Sequence, residues 1–255
     1  MTASALAHRF ADLHRAEAPL VLYNIWDAGS AAAVAAAGAP AIATGSWGMA
    51  RAQGYPDGEV MPLDQVLHTV AQIVSTVEVP VTLDFEGGYA ADPETLTRNT
   101  VQVIEAGAVG VNFEDRVVGG AGLYDPDTHC TRIAALRAAA DASDVALFIN
   151  ARCDLFFQKD ITPEDHSDQM TEAVERAQAY ARAGANGFFV PGLSDPELIK
   201  TLCQAVPLPV NIMATPASPD AQVLGSWGVA RVSHGPFPFR AAMAQLQEAA
   251  TEVYR

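Results

Sequence analysis

Eight short apolar runs, each separated from the next by a helical stretch, set the tightest limit on how this chain can fold. The runs fall at Leu20–Ile25, Ala41–Thr44, Val79–Leu83, Val109–Phe113, Val145–Ile149, Gly187–Val190, Leu208–Met213 and Val229–Ser233. They are continuous rather than alternating, the pattern of parallel strands covered on both faces. Between them lie stretches with helical character such as Pro62–Val77, Pro93–Ala106, Thr128–Asp141 and Pro163–Ala183, several with proline in the first turn. Gly38, Gly107 and Gly184, each in an Ala-Gly-Ala triplet, mark helix ends. Strand and helix alternating eight times point to a closed barrel rather than a doubly wound open sheet. The open sheet would bring a glycine-rich G-x-G-x-x-G turn after its first strand, where this chain has Asp27-Ala28-Gly29-Ser30. The expected fold is therefore α/β, a single (β/α)8 TIM-type barrel forming one domain over residues 1–255, with a helix at its N-terminus. The length of 255 residues agrees with the roughly 250 of such barrels.

Charge narrows the partners. Thirty acidic side chains against fifteen basic ones give a formal net charge of −15. A surface that negative repels phosphate backbones and anionic lipid, which argues against nucleic-acid and membrane roles. The uncharged stretch from Ala28 to Ala50 is long enough to span a bilayer, but Gly38-Ala39-Pro40 breaks it, so a buried helix followed by a buried strand is expected. Residues 1–20 carry His8, Arg9, Asp12 and Arg15 and lack the apolar core of a signal peptide. Cys130, Cys153 and Cys203 form neither a disulfide framework nor a zinc-ligand pattern, which favours a reducing, cytoplasmic compartment.

The polar residues that follow the apolar runs carry the chemistry, because catalytic groups in barrels project from the C-terminal strand ends. The first run leads to Asp27, and the second to Ser46-Trp47-Gly48 and then Gly54-Tyr55-Pro56-Asp57. The third ends in Asp84-Phe85-Glu86-Gly87-Gly88-Tyr89, the fourth in Asn112-Phe113-Glu114-Asp115, the fifth in Asn150-Ala151-Arg152-Cys153-Asp154, and the eighth in Ser233-His234. Carboxylates facing one cavity repel unless a positive charge lies among them. Oxygen ligands without a histidine or cysteine cluster favour Mg²⁺, or Mn²⁺, over zinc. Asp84, Glu86 and Glu114 are the candidate ligands, with Asp57 a fourth from its loop. Asp84 and Glu86 are two apart and are expected on the same side of one strand. Mg²⁺ keeps several waters, so one direct carboxylate with the others reached through water suffices. Asp27, three residues before Ser30, serves equally well as a helix cap.

At the segments around Asp84, Glu114 and Arg152, together with Gly54-Tyr55-Pro56-Asp57, the chain resembles the isocitrate lyase/phosphoenolpyruvate mutase superfamily from about Leu20 to Ser233. The resemblance implies a Mg²⁺-dependent barrel, a tetramer whose subunits exchange their last helices, and chemistry next to a small 2-oxo acid or its enolate. By position, Asp84 resembles the direct metal ligand, and Asp57, Glu86 and Glu114 resemble residues holding the ion largely through its waters. Arg152 resembles the arginine that pairs with substrate oxygens, and the amides around Ser46, Trp47 and Gly48 would receive the substrate carboxylate. Isocitrate lyases carry a Lys-Lys-Cys-Gly-His segment soon after the fourth strand, where this chain reads from Arg116 to Tyr124 without lysine, cysteine or histidine. That departure argues against both the isocitrate lyase and the mutase reactions.

A 2-oxo acid can chelate Mg²⁺, and the ion then stabilises the enolate left when the neighbouring bond breaks, with Arg152 adding a second positive group. The leading expectation is a Mg²⁺-dependent lyase of a small 2-oxo acid or a 2-hydroxy di- or tricarboxylate, with Arg152, Glu114 and Asp57 in catalysis. Hydrolysis or decarboxylation of oxaloacetate, phosphonate P–C chemistry, and a non-catalytic 2-oxo acid binding protein stand as alternatives. Schiff-base chemistry needs a lysine in the cavity, and Lys159 and Lys200 lie away from the strand ends. The proton-transfer group is unassigned; Tyr124 is a candidate in its loop, and His234 is placed on the rim as a substrate-binding candidate. Cys153 reads as a buried thiol, and Cys130, near a helix start, as inert.

Overall fold

The structure, a computed structural model, describes residues 2–255. Helix α1 (Ala3–Asp12) is capped by Thr2, whose hydroxyl accepts from Ala5 N at 3.2 Å. Eight strands follow: β1 (Leu20–Leu22), β2 (Ile42–Ala43), β3 (Val81–Asp84), β4 (Gly110–Glu114), β5 (Phe148–Arg152), β6 (Gly187–Val190), β7 (Val210–Met213) and β8 (Val229–Ser233). All pair in parallel in the order β1-β8-β7-β6-β5-β4-β3-β2. The remaining seam, between β1 and β2, is joined by a parallel bridge from Ile25 to Thr44. There Ile25 N donates to Ala43 O and Gly45 N to Ile25 O. The sheet is a nearly closed (β/α)8 barrel.

Helices α2 (Ala28–Ala36), α3 (Ser46–Ala52), α4 (Leu63–Thr76), α5 (Pro93–Glu105), α6 (Pro126–Ala142), α7 (His166–Arg182), α8 (Pro196–Ala205), α9 (Ala221–Ser226) and α10 (Phe237–Val253) complete the wall. Five of these are preceded by an Asp whose carboxylate accepts from the first turn: Asp27, Asp92, Asp125, Asp195 and Asp220. Asp27 thus caps α2, with Ser30 closing a capping box, and is not part of the rim chemistry.

The strand boundaries depart most from expectation at β1 and β5. β5 begins three residues late because α6 runs on to Ala142 and the chain then turns through Asp144 at φ 54°. Pairing starts only when Phe148 N reaches Val109 O. β1 stops at Leu22, and the side chain of Asn24 takes over the seam: its Nδ2 donates to Thr44 O, while its Oδ1 accepts from His234 N and Gly235 N. The helical stretch from Pro163 likewise begins as a 3-10 turn (Pro163–Asp165) before α7.

The N-terminal end of the barrel is stoppered by α1, whose Ala7 and Phe10 pack with Leu20, Ala41, Val109 and Phe148. Gly110 makes this approach possible, since a Cβ there would lie 2.7 Å from the Phe10 ring. Above the stopper the interior is polar. Asn150 Nδ2 donates to Asn112 Oδ1 (2.9 Å) and Asn211 Oδ1 (3.0 Å), and the fully buried Arg231 donates to Asn112 Oδ1 (3.0 Å). Asn112 and Asn150, expected on the rim, therefore lie inside the barrel, because the strands β4 and β5 extend two residues past them.

At the opposite end α10 covers little: of its 17 residues Pro238 alone is buried, and Leu246, Val253 and Tyr254 are exposed. Among the described residues no helix is long and apolar enough to cross a membrane.

Candidate active site

The end of β3 organises the C-terminal rim. Thr44 Oγ1 receives Asp84 N at 2.9 Å, and Asp84 Oδ2 accepts from Ser46 N, the first amide of α3, at 3.0 Å. The other carboxylate oxygen, Asp84 Oδ1, is buried without a hydrogen-bond partner. Such an atom is costly unless something positive or a donor reaches it.

Glu86 arrives by an unexpected route. The strand ends at Asp84, and Glu86 adopts φ 49°, so its direction comes from a left-handed turn and not from strand alternation. Its Oε2 accepts from Glu59 N at 3.0 Å, and Tyr89 Oη lies 3.5 Å from its Oε1. Glu59 Oε1 in turn accepts from Tyr89 N at 2.8 Å. Glu59 and Tyr89 also have positive φ, 59° and 57°. Three non-glycine residues in that region around one point hold strain of about 1–3 kcal/mol each, which the interlocking hydrogen bonds maintain. They enclose a cavity of about 10 Å³, room for one water-sized body, lined by Ser46, Glu59, Met61, Asp84, Glu86 and Tyr89.

The electrostatics of this cavity are those of excess negative charge. Burial pushes Glu86 up to about 9, with Asp84, Asp57, Glu114 and Glu59 all adding in the same direction. Loss of hydration and then the charge of Asp84 raise Asp57, against the pull of Arg152. Glu114 is raised by burial and drawn back by Arg152. Arg152 Nη1 lies 2.9 Å from Glu114 Oε2, while Nε and Nη2 donate to the two oxygens of Asp154 at 2.5 and 2.8 Å. Burial alone would lower the arginine pKa, but Glu114 and Asp154 outweigh it and keep the guanidinium charged.

Asp154 is itself fastened from behind. Its N–H donates to Asp115 Oδ1 at 2.9 Å, and Asp115 Oδ2 accepts from Tyr180 Oη at 2.9 Å and Arg176 Nη1 at 3.3 Å. Asp115 is completely buried, so it ties the end of β4 to α7 and has no access to the cavity.

The expected site residues separate into two groups. Asp84 and Glu86 line one cavity with Ser46 beside them; Asp57 and Glu114 are close enough to push Glu86 further up, and Arg152 is close enough to pull Asp57 and Glu114 down. Among the described residues no three His, Cys, Asp or Glu side chains converge tightly enough to grip an ion directly. Glu114 in particular is engaged by Arg152. The donor set nevertheless fits Mg²⁺, which takes oxygen ligands and keeps waters: one partnerless Asp84 oxygen lies among carboxylates that outnumber the one guanidinium, Arg152, beside them. The Trp47 and His234 rings lie outside this cavity, and Gly48 follows Ser46 in the first turn of α3. The Trp47 ring stands against Phe239 and beneath Arg240, 4.7 Å from its centroid, and Gly48 packs on Trp26 and Phe239. The His234 ring sits 5.3 Å from that of Tyr23, in a groove with Thr215, Phe237 and Arg240.

Tyr124 turns away from the cavity, its ring 4.2 Å from the Arg132 guanidinium. Cys153 is buried, and burial raises Cys130 despite its place near a helix start. Glu59 and Tyr89 were not anticipated as site residues. Their signal was their position, two residues after Asp57 and three after Glu86.

Comparison with known proteins places the chain among barrels of related chemistry. Residues 10–254 match the family model for phosphoenolpyruvate phosphomutase. A solved phosphonomutase-like protein of Burkholderia cenocepacia J2315 is 44% identical with a TM-score of 0.95, over 98% of this chain and 99% of that one. The 2-methylisocitrate lyase of Escherichia coli K12 is 29% identical over 211 residues, 80% of this chain and 68% of that protein. In fold alone the chain is similar to a phosphonopyruvate hydrolase solved with oxalate and Mg²⁺, at 21% identity and a TM-score of 0.86 over 98% of this chain and 87% of that one.

Proposed function

Since the chain belongs to the phosphoenolpyruvate phosphomutase family, a family of lyases and mutases, we propose that it is a Mg²⁺-dependent carbon–carbon lyase. Its substrate class is a small 2-oxo acid or a 2-hydroxy di- or tricarboxylate, cleaved so that an enolate is left behind. The observation that carries this reading is the buried, partnerless Asp84 Oδ1 beside the crowded Glu86, Asp57 and Glu114 carboxylates. Asp84 would hold the ion directly, and Glu86, Asp57 and Glu114 would hold its waters. When bound, Mg²⁺ would supply the charge that stabilises an enolate as the adjacent bond breaks. Oxalate, bound with Mg²⁺ in the phosphonopyruvate hydrolase, has the same O–C–C–O outline as the enolate of a 2-oxo acid, which supports this end of the substrate.

The chain's own groups would do the rest. Arg152, kept charged and aimed by Glu114 and Asp154, has further N–H groups to offer a substrate oxygen. Ser46 N already holds Asp84, and the next first-turn amides of α3, at Trp47 and Gly48, have no intrahelical partner and suit the substrate carboxylate. Tyr89 Oη, on the cavity wall, is the hydroxyl placed to donate there, and His234 borders the rim outside it. The exposed apolar residues of α10 support a homotetramer with exchanged C-terminal helices, and the thiol content supports a cytoplasmic enzyme.

The test is turnover of a panel of C4 to C7 acids, read as pyruvate or glyoxylate release, with metal-stripped protein before and after adding Mg²⁺. Activity is expected only with the ion, and Asp84→Asn is expected to lower it by more than about 100-fold, beyond the loss typical of an indirect ligand. Turnover by the stripped protein at the same rate as the loaded one sinks the mechanism.

A further inference from the structure

A second cleft, of about 320 Å³, opens on the rim next to the proposed site. One wall is the hairpin that follows β4, where Arg116 and Leu123 pair antiparallel and Val117 N donates to Gly122 O. The other is the 3-10 turn Asp154–Phe157 with the loop to Ile161 beyond it. Each wall contributes a cation, Arg116 and Lys159, and neither makes an ion pair among the described residues. In contrast, Lys200, the other lysine of this chain, is held by Glu197 at 2.7 Å. Leu123, Phe157 and Ile161 supply apolar surface between the cations, and Phe157 is left 49% exposed.

The cleft also touches the proposed chemistry. Asp154 lines it, and both Asp154 oxygens are bound by Arg152, which Glu114 shares. The charged groups lining the cleft that make no ion pair among the described residues are Arg116, Lys159 and Asp160. A volume of this size accommodates a few carbons and a terminal polar group, at the lower end of ligand sites.

We propose that this cleft binds the far, anionic end of the substrate, with Arg116 and Lys159 receiving a second carboxylate while Leu123, Phe157 and Ile161 pack its methylenes. The inference rests on the reading above, in which the 2-oxo or 2-hydroxy acid end sits at Asp84 and Arg152. It narrows the substrate class to acids with a carboxylate at each end, and makes Arg116 and Lys159 determinants of that preference.

Calorimetric titration in the presence of Mg²⁺ tests it with matched probes: 2-oxoglutarate against 2-oxopentanoate, and 2-oxoadipate against 2-oxohexanoate. Each pair has equal chain length and differs at the distal carboxylate. The dicarboxylate is expected to bind at least about tenfold tighter, and Arg116→Met and Lys159→Met should each erase about fivefold of that, as for exposed charge pairs. Oxalate, too short to reach the cleft, should bind both variants as it binds the parent protein, which also reports that the variants are folded. Equal affinity for the two members of each pair, or a preference unchanged in the double variant, overturns the cleft assignment. Failure of oxalate to bind the parent protein with Mg²⁺ would instead overturn the reading of the Asp84 end, and the matched pairs would still decide the cleft.

Discussion

At the stoppered end of the barrel, His14 lies flat on Phe148, ring centroids 4.0 Å apart. One ring nitrogen, Nδ1, faces Phe10 O at 2.9 Å, and the other has no partner. Burial, and then the charge of Arg231, push its pKa down to about 3 from an ordinary value near 6.5. The native protein therefore holds His14 neutral where the unfolded chain protonates it. The stability it contributes is complete above pH 6.5 and is lost as pH falls from there toward 3, at up to about 1.4 kcal/mol per pH unit. His14→Phe keeps the stacking and removes the titration. Urea unfolding between pH 7 and 4 should show a shallower acid loss in the variant; equal slopes would show that His14 is not the group responsible.

At the scale of elements, the rim is held by what lies behind it. Asp115 joins β4, the turn after β5 and helix α7 through Asp154 N, Tyr180 Oη and Arg176. Asp115→Ala leaves a buried guanidinium, a hydroxyl and an amide short of their acceptor, and a cost of about 3–5 kcal/mol is expected from denaturant midpoints. Arg152 loses its fixed Asp154 partner in the same step, so activity should fall more than a stability loss alone explains. Gly192, at φ 92°, permits the turn that presents Asp154, because a Cβ there would lie 2.2 Å from Phe156 O. The existence of these elements was legible in the apolar runs and helix starts. Their ends were not, since β5 begins where its neighbour's carbonyl at Val109 becomes available and β1 stops where Asn24 replaces backbone pairing.

For the whole molecule, a net charge of −15 and a rim of carboxylates make a bound divalent cation stabilising, by an amount that grows with the logarithm of its concentration above Kd. Mg²⁺ at about 100 times its Kd should add roughly 2.7 kcal/mol to unfolding, read as a rise in Tm that Asp84→Asn abolishes. Helix α10 leaves Leu246, Val253 and Tyr254 facing outward from a barrel that buries almost none of it. In the proposed tetramer these residues are covered, so Leu246→Arg should lower the sedimentation coefficient toward that of a monomer while leaving the far-ultraviolet circular dichroism unchanged. A monomeric parent protein would refute the assembly without touching the barrel.

The one-dimensional pattern of this chain determined the barrel and the candidacy of Asp84, Glu86, Glu114 and Arg152, because strand burial and rim placement are periodic properties readable residue by residue. The tertiary structure alone decided that Glu114 is taken by Arg152, that Glu59 and Tyr89 complete the cavity, that the Trp47 ring packs under Arg240, and that His234 borders another groove. It also decided that Asn112, Asn150, Asn211 and Arg231 meet inside the barrel, although Asn112, Asn211 and Arg231 sit within apolar runs and Asn150 directly follows one. The reason is physical. Which partner satisfies a carboxylate depends on the direction of its side chain, and here that direction is set by left-handed turns at Glu59, Glu86 and Tyr89 and by contacts between distant loops, neither of which leaves a period in the sequence.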